Sequence, residues 1–326
     1  MKDSSRLPVP PEVLREMLVP SAARSLLTLA VLLGATVGLG ALARWLPAPA
    51  AFFVLILAGF FANGLVQLGH EAWHRNLFAA PWANDLFGHL FALLSFVPFR
   101  AARHAHMLHH RHNRTERDPD AYNVGSPGLR VKVQFYVVVV AGLLLAPLHF
   151  GVLYPAVFMR GRELRAHLVE MAAIVATWVA FLHWVVLPHA IGHALLVGWF
   201  LPYAFATPWN GLKSIADHHR NHWKGDRFHT ATTVRTHPLV TLAWSGLNHH
   251  LDHHLYPRVP GPALPRLHEL LGEELVRREA PVFDGYAKIF WEAFRAGPTY
   301  VAEGQTFLVD ARAKGRTLRS SSEVGR

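Results

Sequence analysis

The sequence predicts an all-α membrane protein. Four transmembrane helices form two hairpins, with a cytoplasmic histidine-rich helical cap and additional interfacial helices. Three observations predict this. Of the 326 residues, 52% are hydrophobic and only 17% charged, against about 25% charge in an average soluble domain. Four uncharged runs approach or exceed the ~20 residues that a span needs. Histidine is over-used, at 23 residues, and is clustered rather than scattered.

The elements follow in chain order. Residues 1–24 carry Asp3, Glu12 and Glu16. Such acids make a poor signal-peptide leader, so an uncleaved cytoplasmic segment is expected. The runs Ser25 to Ala43 and Leu46 to Gly69 give spans at about 25–45 and 49–70, joined through Pro47-Ala48-Pro49. The runs Met171 to Pro188 and His189 to Leu212 give spans at about 168–188 and 190–210, joined near Pro188. Short proline-containing links of this kind read as tight helical hairpins. Leu86 to Phe99 is too short to cross and is expected at the interface. Val133 to Met159 is uncharged but contains Pro147 and Pro155. A full crossing there would place the histidine clusters on opposite sides, so it is expected to dip and return or to lie along the interface. Residues 25–303 form one integrated domain. A basic polar tail, 304–326, follows, with Arg312, Lys314, Arg316, Arg319 and Arg326.

Orientation follows from the basic residues. Arg75, Arg100, Arg103, Arg111, Arg114, Arg117, Arg130, Lys132 and Arg160 lie between the hairpins, and Lys213, Arg220, Lys224 and Arg227 follow the second. The links inside the hairpins carry only Arg44. The positive-inside rule then puts both termini and the central segment in the cytoplasm, in a multi-pass protein expected in a bacterial inner membrane. The net charge of +10 is accounted for in this way, and no nucleic-acid partner is expected. Cysteine is absent. That excludes disulfides, thiolate zinc, cysteine nucleophiles and cysteine-ligated iron–sulfur clusters on this chain.

Imidazole is the commonest protein metal ligand, so the histidine spacing carries the chemistry. The second span runs into His70-Glu71-Ala72-Trp73-His74, with both histidines on one helical face. Asn63 and Gln67 extend that polar face backward into the span, where it needs a protein interior rather than lipid. His106-Met107-Leu108-His109-His110 and His250-Leu251-Asp252-His253-His254 both read HxxHH. At this histidine content about 0.1 such matches arise by chance. Imidazole suits iron, zinc and copper alike. Eight or more clustered rings exceed one tetrahedral zinc, so two metals fit. Glu71, Asp118, Asp120, Asp217 and Asp252 are candidate acceptors behind the ligands.

These motifs resemble the membrane-bound fatty-acid desaturase superfamily, which includes acyl-chain hydroxylases and carotenoid ketolases. The resemblance rests on the three boxes, with Asn248 before the last and Leu255-Tyr256-Pro257 after it. It extends through Leu212-Lys213-Ser214-Ile215-Ala216-Asp217-His218 and Thr233-Val234-Arg235-Thr236, and covers roughly residues 50–272. It implies two iron ions on the cytoplasmic face and O2-dependent attack on an unactivated C–H bond. The implied ligands are His70, His74, His106, His109, His110, His218, His250, His253 and His254, with Glu71, Asp217, Asp252 and Asn248 as possible supports. His218 matches a histidine that many members place after Glu, where this chain has Asp217; His219 and His222 stand nearby as alternatives. The implied reaction introduces a double bond into a fatty acyl chain, lipid- or carrier-bound. A hydroxylase or ketolase of a carotenoid or other lipid is the nearer alternative. Electrons would come from an external ferredoxin-, rubredoxin- or cytochrome b5-like donor.

Two further classes compete. His70-Glu71-Ala72-Trp73-His74 is also a complete HExxH, as in zinc proteases, although that reading gives the two HxxHH clusters no work. A metal transporter would place its ligands near mid-membrane, where the sequence offers only the scattered His183, His189 and His193.

Overall fold

The structure, a computed structural model, describes residues 9–115, 117–120, 129–219, 221–296 and 301–302. The tail expected at 304–326 lies outside the described residues, as do residues 1–8.

The short helix α1 (Pro11–Met17) precedes the first long hairpin, α2 (Ala22–Ala43) and α3 (Ala48–His74). Ser21 caps α2 by accepting from the Arg24 amide, and Pro47 and Pro49 start α3, where a missing N–H costs nothing. Arg75 ends α3 in a left-handed conformation at φ 60. The Asn76 amide returns to the Glu71 carbonyl at 3.0 Å, closing the last turn.

Next come α4 (Pro81–Ser95) and α5 (Phe99–His112), bent by 111° to one another. The Leu93 and Leu94 carbonyls in the last turn of α4 have no helical partner. Trp178 and Trp199 supply it, donating indole N–H groups at 2.6 and 3.0 Å. The segment expected at the interface, 86–99, thus has its far end sealed among aromatic rings inside the bundle.

A helical rod follows: α6 (Leu129–Leu148), a π turn at His149–Leu153, and α7 (Tyr154–Phe158). Helix α8 (Gly161–Phe181) continues through a π turn and α9 (Leu187–His189). Ala190, at φ 53, turns the chain. The return runs through α10 (Gly192–Leu195), a π turn and α11 (Leu201–Asp217). By length and composition four helical stretches among the described residues can cross a membrane: 22–43, 48–74, 136–158 and 161–189. The expected span 190–210 lies in the 192–217 stretch, which carries Pro202, Pro208 and several polar residues and is not among the four. The rod 136–158 is apolar enough to cross, yet both its ends stay at the histidine end of the bundle. Val139 fills the space of the missing Gly211 side chain near the end of α11. Gly151 accepts from His167 early in α8 at 3.1 Å, and the Tyr154 hydroxyl meets His104 at 2.7 Å.

The core between the helices holds Leu32, Leu65, Leu68, Ile174, Trp199 and Tyr203. The outward faces instead expose Leu27, Val31, Phe53, Leu57, Val175 and Val179. Apolar surface on that scale marks contact with lipid or another protein.

Past α11, β2 (Thr233–Arg235, after β1 at His222–Trp223) pairs in parallel with β3 (Val282–Asp284). Helices α12 (Pro238–Ala243), α13 (His250–Leu255), α14 (Leu264–Arg277) and α15 (Ala287–Ala296) complete the described chain apart from β4 (Val301–Ala302). Leu264, Leu267, Leu271 and Leu275 form the buried stripe of α14 and pack with Leu251, Leu255, Val9 and Met17. This second core joins α1 to the underside of α13.

Candidate metal centre

Four stretches deliver imidazoles to one place. Helix α3 offers His70 and His74, α5 offers His106, His109 and His110, the end of α11 leads to His218, and α13 offers His250, His253 and His254. They sort into two groups: His70, His74, His106, His110 and His253, then His109, His218, His250 and His254. Within each group the nitrogen atoms all lie within 4.8 Å of one another. The groups are neighbours, with the His110 and His254 rings stacked at 4.2 Å. All nine histidines singled out from the sequence are in these groups. His219, the neighbouring alternative to His218, turns to Glu292 at 3.0 Å instead.

The donor set fits metal ions. His74 Nε2 lies 2.7 Å from His106 Nε2 and His110 Nε2 lies 3.0 Å from the same atom. His253 Nε2 lies 3.1 Å from His110 Nε2, and His254 Nε2 3.1 Å from His250 Nε2. At ~2.0–2.1 Å metal–nitrogen bonds, adjacent ligand atoms around one ion stand about 3 Å apart. Both ring nitrogens of His70, and Nδ1 of His250 and His253, are buried without a hydrogen-bond partner, a costly state that a cation relieves. Burial pushes His106, His218, His250, His253 and His254 well below the ordinary histidine pKa, and His110 to about 3. The rings are therefore neutral, the form that binds metal.

The surrounding contacts orient the rings. His109 Nδ1 donates to Asp118 at 2.9 Å, and the amides of Arg114 and Asp120 also donate to that carboxylate. Burial raises the Asp118 pKa, but these bonds outweigh it and hold the group below its ordinary value. His218 Nδ1 donates to the Thr230 carbonyl at 3.0 Å, which leaves Nε2 as the free lone pair. Asn113 contacts His254 Nδ1 at 3.1 Å.

The four candidate supports divide. Asp217 pairs with Lys213 at 2.6 Å, both buried, and stands 3.7 Å from His250 Nδ1. Glu71 Oε1 lies 3.7 Å from His70 Nδ1, while Oε2 accepts from the Gly261 amide at 2.7 Å. Asn248 and Asp252 contact none of the nine rings. Asn248 bonds the Val234 carbonyl and fixes the approach to α13. Asp252 sits on the far face of α13, where Thr233 and His268 donate to it. One residue along a helix is about 100° of rotation, which carries Asp252 away from His253. Glu71 is 1% exposed and engaged by a backbone amide, which does not suit a protease's water-activating base. Asn113 and Thr230 carry no sequence signal: one is an ordinary residue past a helix end, the other contributes only a backbone carbonyl.

Comparison with known proteins adds two findings. The family model described as fatty acid desaturase matches residues 43–286. The sn-1 oleoyl-lipid 12-desaturase of Anabaena variabilis is 36% identical over 96 residues, which is 28% of this chain and 27% of that protein. The aligned stretch thus spans little more than a quarter of either.

Proposed function

Since the chain belongs to the fatty acid desaturase family, we propose that it introduces a double bond into a fatty acyl chain held in a membrane lipid or on a carrier. The observation that carries this reading is the pair of imidazole groups at one end of an apolar helical bundle. His70, His74, His106, His110 and His253 would hold one iron ion, and His109, His218, His250 and His254 the other. Iron so held supplies activation of O2 and removal of hydrogen from an unactivated methylene. The protein's own part is positional. Asp118 and the Thr230 carbonyl fix the tautomers of His109 and His218. Burial among Leu65, Leu68 and Trp244 excludes the water that would compete for the site. Reducing equivalents come from an external carrier of the ferredoxin, rubredoxin or cytochrome b5 kind. The basic residues gathered at the histidine end favour an acidic carrier and a cytoplasmic face of a bacterial inner membrane.

The relative's action on an oleoyl lipid favours an acyl lipid as substrate here. Expression of the chain beside a His253→Ala control, followed by mass spectrometry of host lipids, tests the reading. Loss of two hydrogens from an acyl chain, absent in the control, is expected. Gain of one oxygen would move the assignment to a hydroxylase or ketolase. No change with a reductant supplied, from protein carrying two irons, would overturn it.

A further inference from the structure

A cavity of about 300 Å³ opens at the histidine end, beside the metal centre. Helices α3, α4, α5 and α8 form its walls, and Met107, between His106 and His110 on α5, lies in its lining. Volumes of this order hold a small ligand or one group of a larger one.

Three guanidinium groups face two carboxylates here: Arg75, Arg100 and Arg103 against Asp85 and Glu163. Asp85 is already taken. Arg75 holds it through two bonds, of 3.1 and 2.7 Å. Arg103 spends Nε on the Trp73 carbonyl at 2.9 Å, and its two terminal nitrogens have no partner among the described residues. The Arg100 side chain makes no hydrogen bond or ion pair among them either. The two histidines of the lining are engaged, His89 with Glu170 and His104 with Tyr154. What remains is a pair of guanidinium forks one helical turn apart, a geometry suited to an oxyanion with several oxygens.

We propose that Arg100 and Arg103 hold the phosphodiester of a membrane glycerophospholipid. The cavity's position argues for a lipid. Asp85 and His89 of α4 line it, and on the adjoining face Leu86, Leu90 and Leu94 are 51, 52 and 42% exposed. These leucines recur every four residues, so they form one apolar strip leading from the cavity toward the middle of the bundle. Phosphate above and hydrocarbon below is the layout of a lipid at the interface. Inorganic phosphate would use the guanidinium groups and leave the strip without a role. The inference rests on the membrane placement in the proposed function, and not on the identity of the metal.

The test uses the full chain purified in mild detergent, with lipid binding followed by native mass spectrometry. Phosphatidylglycerol is the probe and neutral monogalactosyldiacylglycerol the control. The wild type is expected to prefer the phospholipid. Arg100→Gln and Arg103→Lys should each weaken that binding about tenfold, the order expected for one charge-assisted hydrogen bond. Galactolipid binding and iron content should stay unchanged. Arg100 makes no internal side-chain bond among the described residues, so its variant keeps the fold. Arg103→Lys retains charge and removes only the fork. Equal phospholipid binding by wild type and Arg100→Gln would overturn the proposal. So would displacement of the lipid by inorganic phosphate at matched concentration, which would mark a free-anion site. Loss of iron or of lipid oxidation with phospholipid binding intact would count against the proposed reaction and leave this site standing.

Discussion

His109 and His110 are adjacent in sequence but belong to different groups. The helix turns about 100° between them, so one helix supplies both groups. His253 and His254 repeat the arrangement on α13. The ligand types were legible in the HxxHH spacing. The partition was not, because it depends on how α3, α5 and α13 are rotated against one another. Two outcomes follow at this scale. His110→Ala and His109→Ala should each lower iron from two toward about one per chain, and spectroscopy of the remaining ion should differ between them. Asp118→Asn removes the carboxylate behind His109 and should weaken metal retention by roughly 10- to 100-fold in a chelator titration, with helicity unchanged by circular dichroism. Glu71→Gln separates the enzyme classes. A glutamine carbonyl still accepts from the Gly261 amide, so iron content and oxidation should persist, whereas a metalloprotease would be inactivated.

At the scale of elements, close helix approach fixes the site. A side chain on Gly59 would come within 2.3 Å of the Phe205 carbonyl, and one on Gly211 within 2.5 Å of the Val139 backbone. Gly34 has open space around it. Gly59→Ala is therefore expected to cost about 1–3 kcal/mol through overpacking, read as a lower melting temperature in detergent. Gly34→Ala should be neutral or slightly stabilising, by up to ~1 kcal/mol. The spans of the first hairpin were legible because a helix facing water on any side rarely runs that far without a charge. The rod from 129 to 158 was harder. Its composition alone reads as a span, and only its contacts with Gly211, His104 and His167 hold both ends at one level. The depth to which α4 enters the bundle was also hidden, since it depends on indoles from residues 178 and 199.

For the molecule as a whole, sidedness is the property that the crossing pattern dictates, and the absence of cysteine makes it simple to measure. Single cysteines placed at Trp45, 77% exposed in the turn after α2, and at Arg117, near Asp118, should label from opposite faces of intact membrane vesicles. Labelling from one face would contradict the crossing pattern. The interleaving of the two groups also constrains how the protein is made. The first combines four rings from residues 70–110 with His253, and the second combines His109 with His218, His250 and His254. Neither cage can close while α13 is still inside the ribosome, so ion loading belongs to the last stage of synthesis. Chains released before residue 250 would enter the bilayer carrying exposed, half-built cages.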